Sequence, residues 1–146
     1  MGKKSKAENT LSTVIGTASR LLANRISKNL SSHQVTAEQW GILASLWKNN
    51  GQTQQSLADI SNKNKASITH LVDNLEKRKL VERKTDADDR RNKKIFLTEE
   101  GKALQESLSK IVKKTTQDAA RDIDKKELKA AKKVLKKVIE NLNTAN

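Results

Sequence analysis

Leu11, Val14, Ile15, Ala18, Leu21, Leu22, Ile26 and Leu30 recur three or four residues apart, which predicts a long amphipathic helix from Asn9 or Thr10 to about Asn29–Ser32. Thr36 with Gln39 three residues later has capping-box spacing, and Trp40, Ile42, Leu43, Leu46 and Trp47 make a compact apolar face on the helix that follows, with Gly51 placed to end it. Thr53 begins a shorter helix with Leu57, Ala58 and Ile60 inward, and Ser61 to Asn64 makes a polar turn. From Lys65 a fourth helix puts Ile68, Leu71, Val72 and Leu75 on one stripe. The period then changes: Leu80, Val81, Glu82 and Arg83 read as a strand, Asp86 to Asn92 as a polar loop, and Lys93 to Leu97 as a second strand with Ile95 and Leu97 on one face.

Beyond that ribbon, Thr98 is an N-cap followed by Glu99 and Glu100, whose charges suit a helix N-terminus. Leu104, Leu108, Ile111 and Val112 mark one long helix to about residue 120. Asp124 caps a last helix whose Leu128, Ala131, Leu135, Val138, Ile139 and Leu142 stand at near-heptad spacing. The expected fold is therefore mainly α with a small β-ribbon: a winged helix-turn-helix region over 36–98, flanked by helices over 1–34 and 99–146, all in one domain. Apolar stripes on both terminal segments exceed what the small middle can cover, so dimerisation through them is expected; the alternative is a monomeric bundle of the first and last helices.

Composition adds a partner. A hydrophobic share of 34% makes the core of a 146-residue chain lean, and a net charge of +13 with a pI near 10.0 favours a polyanion such as nucleic acid. A lysine-rich surface that only keeps the protein dissolved is the bland reading of the same number. Between residues 63 and 94 there are eleven Lys or Arg against six Asp or Glu, a net of +5. If that stretch meets phosphates, Asp73, Glu76, Glu82 and the loop aspartates must lie away from them. The last helix adds a net of +4 between Asp124 and Leu142, most simply a solvated face, and Met1 to Ala7 is a short basic arm with little reason to fold.

The helix from Lys65 carries donors and acceptors of a length suited to base edges and phosphates: Lys65, Ser67, Thr69, His70 and Asn74. Its N-terminal turn offers backbone N–H groups and a positive dipole end, and places Ser67, Thr69 and His70 nearest a major groove. Arg90 and Arg91 stand at the loop-to-strand corner, with Lys93 just after. One arginine can enter a minor groove while the other is held by Asp86, Asp88 or Asp89; a local salt-bridge network that shapes the hairpin is the competing account.

Other classes are thinly supported. The chain has no cysteine and no tyrosine, no H-E-x-x-H, P-loop or G-x-S-x-G motif, and its two histidines, His33 and His70, are far apart, so no enzymatic role, cofactor or metal site is expected. Absence of cysteine also excludes thiol-oxidation sensing. No apolar run approaches the ~20 residues of a membrane span, and Lys3, Lys4 and Lys6 precede no signal-peptide core, so a cytoplasmic protein is expected. The strongest rival to a sequence-reading protein is a sequence-tolerant architectural one.

The segment QQSLADISNKNKASITHLVDNLEKRKLVER and, above all, DADDRRNKKIFLTEEG resemble the MarR family of bacterial transcription regulators, whose wing carries a D-x-x-D-R-R run, an apolar strand and L-T-x-x-G. The resemblance runs from about Leu11 to Leu142. It implies an obligate homodimer on pseudo-palindromic promoter DNA, repression relieved in many members by a ligand, and Arg90 as the arginine inserted in the minor groove. Where the family often has a guanine-reading arginine this chain has His70, so a guanine preference does not carry over. Family ligands lie between the dimer helices and the winged domain, which points to the neighbourhood of Trp40 and Trp47 for a small organic effector, if there is one; both tryptophans read first as core.

Overall fold

Thr10 and Thr36 open the first two helices alike, each accepting with its hydroxyl the backbone N–H three residues on, Thr13 at 3.3 Å and Gln39 at 3.1 Å. At Thr36 the Gln39 side chain accepts the Thr36 N–H in return, which completes the capping box. The computed structural model describes residues 9–61, 63–89, 91 and 93–144; the basic arm, Asn62 of the polar turn, and Arg90 and Asn92 of the wing loop lie outside the described residues. The chain divides into two compact units, one up to Thr115 and one from Thr116.

In the first unit, α1 (Leu11–Asn29) leads through a 3-10 turn (Ser31–His33) to α2 (Ala37–Lys48), β1 (Gln52–Thr53), α3 (Gln54–Ser61) and α4 (Lys65–Lys77). There follow β2 (Val81–Thr85), β3 (Lys93–Leu97), α5 (Glu99–Ala103) and most of α6 (Gln105–Ala119). Leu30, Leu43, Leu46, Ile68, Leu75 and Ile95 are fully enclosed where α1, α2, α4 and the sheet meet. Burying each such side chain contributes about 1.5–3 kcal/mol before the opposing loss of chain entropy. The α1 stripe divides: Ile26 enters this core, whereas Leu11, Val14 and Leu21 stay more than half exposed.

The ribbon is the outer part of a three-stranded antiparallel sheet in the order β1-β3-β2. Val81 pairs with Leu97 and Arg83 with Ile95 across the hairpin, and on the other edge of β3 Gln52 faces Ile95. The two-residue β1 has no sequence signature, and its place is set by contacts made elsewhere. The buried amide of Gln52 donates to the carbonyls of Ser45 and Asn49, satisfying the end of α2. Helix α2 therefore stops at Lys48, before Gly51. That glycine, at φ 77°, turns the chain into β1 so tightly that a Cβ would lie 2.7 Å from the Phe96 ring.

Two further expectations are corrected. Ile60 is 60% exposed, because the buried side of α3 is centred between Leu57 and Ala58 and Ile60 lies about 110° round the helix from it. The helix from Thr98 is not continuous: it breaks at Leu104 between α5 and α6. The Gly101 carbonyl, which an unbroken helix would give to Gln105, accepts the Trp47 indole N–H at 2.9 Å. A Cβ on Gly101 would sit 2.1 Å from the Leu80 carbonyl oxygen, so α5 is pressed on the start of β2.

The second unit is the end of α6 and α7 (Lys125–Thr144), whose Asp124 cap accepts the Lys126 N–H at 3.1 Å. Val134, Leu135, Ile139 and Leu142 on α7 are exposed. Among the described residues no helix is long and apolar enough to cross a membrane.

Candidate nucleic-acid interface

Helix α4 begins at Asn64, whose side chain accepts the Ser67 N–H at 2.8 Å. This cap takes one of the first-turn N–H groups that the sequence offered to phosphate. The helix ends with Lys79 in the left-handed region, φ 61°, and with Leu80 donating back to Leu75 at 3.0 Å. Arg78 ties this end to the turn before α2 by donating to the carbonyls of His33 and Gln34. With Ile68, Leu71, Val72 and Leu75 buried, the 100° step per residue places Ala66, His70, Asp73 and Lys77 at the centre of the outward arc.

The residues expected to meet nucleic acid fall into separate groups. Lys65 and His70 are exposed, and His70 Nε2 lies 3.4 Å from the Asn74 amide nitrogen. Ser67, His70 and Asn74 line one cleft of about 530 Å³, closed on its other side by Thr36, Glu38 and Gln39 of the α2 start. Thr69 points elsewhere. Its hydroxyl donates to the Lys65 carbonyl at 2.9 Å and accepts from the Gln54 amide at 2.8 Å, so it fastens α4 to α3. Ala66, which the donor-and-acceptor reading passed over, stands exposed in the first turn, where a methyl group is the complement of a thymine methyl.

Arg83 is the residue that links the wing to the helix. Alternation along β2 puts it on the same side as buried Val81, and its guanidinium reaches Asp73 at 2.7 Å, Glu76 at 2.8 Å and the side-chain amide oxygen of Gln54 at 3.1 Å. The Glu76 carboxylate also accepts the Arg83 backbone N–H at 3.2 Å. One buried-edge cation thereby joins α3, α4 and β2. Asp73 lies on the outward arc, its side chain 48% exposed, and its charge is offset by Arg83. Sequence reasoning missed this role, although Asp73 and Glu76 at i,i+3 facing an arginine two residues past a core strand position are a legible sign of it.

On the wing, the Asp86 carboxylate accepts the Asp88 N–H at 3.0 Å and lies 3.9 Å from the Lys94 ammonium, while Asp89 accepts the Arg91 N–H at 3.0 Å. The aspartates thus shape the loop backbone, and Arg91 and Lys93 are exposed. Arg90 lies outside the described residues. Glu82 pairs with Lys84 at 3.3 Å, and Lys84 stands 5.2 Å from the centre of the Phe96 ring. Trp40 and Trp47 both pack against the core; Trp47 is tied to Gly101, whereas the Trp40 indole N–H is buried with no hydrogen-bond partner among the described residues.

A model of the MarR family matches residues 35–93, the span from the start of α2 to the start of β3. An uncharacterized HTH-type transcriptional regulator of Bacillus subtilis, YwaE, is 27% identical over 87% of this chain and 74% of its own length. Among solved structures, MepR of S. aureus in complex with DNA superposes with a TM-score of 0.83 at 28% identity, over 90% of this chain and 98% of MepR. A MarR transcriptional regulator from Methanosarcina mazei Go1 gives a TM-score of 0.83 at 25% identity, over 90% and 94% of the two chains. Over residues 35–93 the chain is thus similar to the MarR family, and it shares the overall fold of these solved regulators.

Proposed function

We propose that this regulator binds double-stranded DNA sequence-specifically, as a homodimer on a pseudo-palindromic promoter site, and represses transcription there. The observation that carries the reading is the Arg83 knot, which holds the wing and α4 together with Lys65, Ala66 and His70 exposed. In this reading α4 enters the major groove, with Lys65, Ser67, Thr69, His70 and Asn74 as the contributing side chains, and Arg90, Arg91 and Lys93 of the wing meet the flanking backbone or minor groove. Thr69 acts by holding α4 on α3 as much as by contact. Residues 36–98 form the reading region, and residues 1–34 and 99–146 the dimer-forming helices.

The exposed apolar positions of α1 and of α7 support the homodimer, since uncovered leucines and isoleucines at helical spacing are what a second copy buries. A two-fold axis would present two α4 helices about 34–36 Å apart, one turn of B-DNA. A small organic effector is proposed to bind near Trp40 and Trp47, where the unpartnered Trp40 N–H would meet an acceptor. Working on promoter DNA, the protein acts in the cytoplasm, and no catalytic step is assigned to it.

The test is selection from a random duplex pool. Enrichment of an inverted repeat with half-sites one helical turn apart is expected. Recovery of unrelated sequences at equal affinity would favour the sequence-tolerant architectural reading.

A further inference from the structure

Every lysine of α7 lies on one arc of the helix. At 100° per residue, Lys125, Lys129, Lys132 and Lys136 form a central row about 17 Å long, Lys126, Lys133 and Lys137 flank it, and the whole set spans about 140°. Lys137 reaches Glu140 at 3.6 Å; among the described residues no other lysine of this helix has a carboxylate within 4 Å. Asp124 is occupied as the cap and Glu127 lies on the far side.

A helix that needs only solubility interleaves signs, because Glu four residues before Lys stabilises it and Lys four residues before Lys does the reverse. Here Lys125 and Lys129, Lys129 and Lys133, Lys132 and Lys136, and Lys133 and Lys137 all stand at i,i+4. The free helix carries that repulsion, and a bound polyanion removes it. A duplex presents one charge per about 1.7 Å of axis, so a row of this length spans the charge of roughly ten phosphates. An anionic membrane fits less well. A helix lying in a bilayer surface immerses an apolar face rich in Trp or Phe, and α7 has no aromatic residue.

We propose that the lysine arc of α7 is a second nucleic-acid site, one that takes the phosphodiester backbone of duplex DNA without regard to sequence. It stands apart from the proposed function, since a chain that read no sequence through α4 would still bind through α7. The site sets how tightly the protein holds ordinary DNA, and so how it is shared between its target and the rest of a genome.

The experiment compares the full chain with the variant Lys129→Gln, Lys132→Gln, Lys136→Gln and with a charge-matched control, Lys102→Gln, Lys110→Gln, Lys113→Gln, on random duplex across a salt series. Circular dichroism and sedimentation confirm that each variant keeps its helix and assembly state. The α7 variant is expected to bind random duplex at least about tenfold more weakly at 0.15 M salt, with its log-log salt slope reduced by up to about 2.7, at roughly 0.9 for each phosphate no longer neutralised. The control should change less than half as much. Equal weakening in both variants would reduce the arc to a share of net charge and overturn the proposal. So would an α7 variant that kept its DNA affinity while losing adhesion to phosphatidylserine vesicles, which would assign the arc to a membrane. The preference of the α7 variant for the selected inverted repeat over random duplex, measured in parallel, should stay that of the full chain whichever way its random-duplex affinity falls, so the two readings fail separately.

Discussion

The Arg83 guanidinium lies 2.7 Å from the Asp73 carboxylate, and this pair fastens the wing strand to the outward arc of α4. Because the arginine side chain is only 14% exposed and also holds Glu76 and Gln54, its removal leaves two carboxylates and an amide without their cation. Arg83→Ala is expected to destabilise the fold by about 2 kcal/mol, in the range of charge-assisted hydrogen bonds at a partly wet site. It should also weaken binding to every DNA sequence, since Asp73 then faces the phosphates uncompensated. Adding Asp73→Asn to Arg83→Ala should restore part of the DNA affinity but not the stability. Affinity that fails to recover in the double variant would confine Arg83 to holding the fold.

Lys79 adopts φ 61° at the end of α4, a left-handed conformation that costs a side-chain-bearing residue about 1 kcal/mol or more. Lys79→Gly should therefore raise the thermal midpoint, by an amount equivalent to about 0.5–1 kcal/mol. A lower midpoint would mean that the lysine side chain makes up the difference through its own interactions.

The exposed Leu135 and Ile139 of α7 are proposed to lie in the dimer interface. Replacing both with glutamate places two charges where apolar surface is to be buried, and the expected outcome in sedimentation is monomer or aggregate. A soluble variant that stayed dimeric and still bound DNA would move the interface off this helix.

Arg90 and Arg91 carry the proposed wing contacts. Changing both to alanine should weaken binding to any duplex and lower the log-log salt slope by about 0.9 for each phosphate that an arginine had neutralised. An unaltered slope would leave the pair with hairpin structure alone.

Much of the fold was legible because its signals are local. Thr36 with Gln39, the stripe of Ile68, Leu71, Val72 and Leu75, and the alternation at Ile95 and Leu97 each report the element that contains them. What was not legible depends on residues distant in sequence. The break at Leu104 follows from Trp47, 54 residues from its acceptor Gly101, and β1 exists because Gln52 caps α2 and pairs with β3. At the candidate site the same division holds. His70 could be placed outward by helical period, whereas the turning of Thr69 toward Gln54 and the offsetting of Asp73 by Arg83 required the partners' positions.

The central claim is that α4 reads sequence, and His70 tests it with the least confusion because a neutral histidine adds little to the long-range field that attracts any duplex. The measurement is the affinity of His70→Ala for the selected inverted repeat and for random duplex at one fixed salt concentration, with circular dichroism confirming that α4 survives. Affinity for the repeat should fall by the equivalent of about 1–3 kcal/mol, the worth of one good base contact, while affinity for random duplex stays within about twofold. Parallel weakening on both DNAs, or none on either, would contradict the claim.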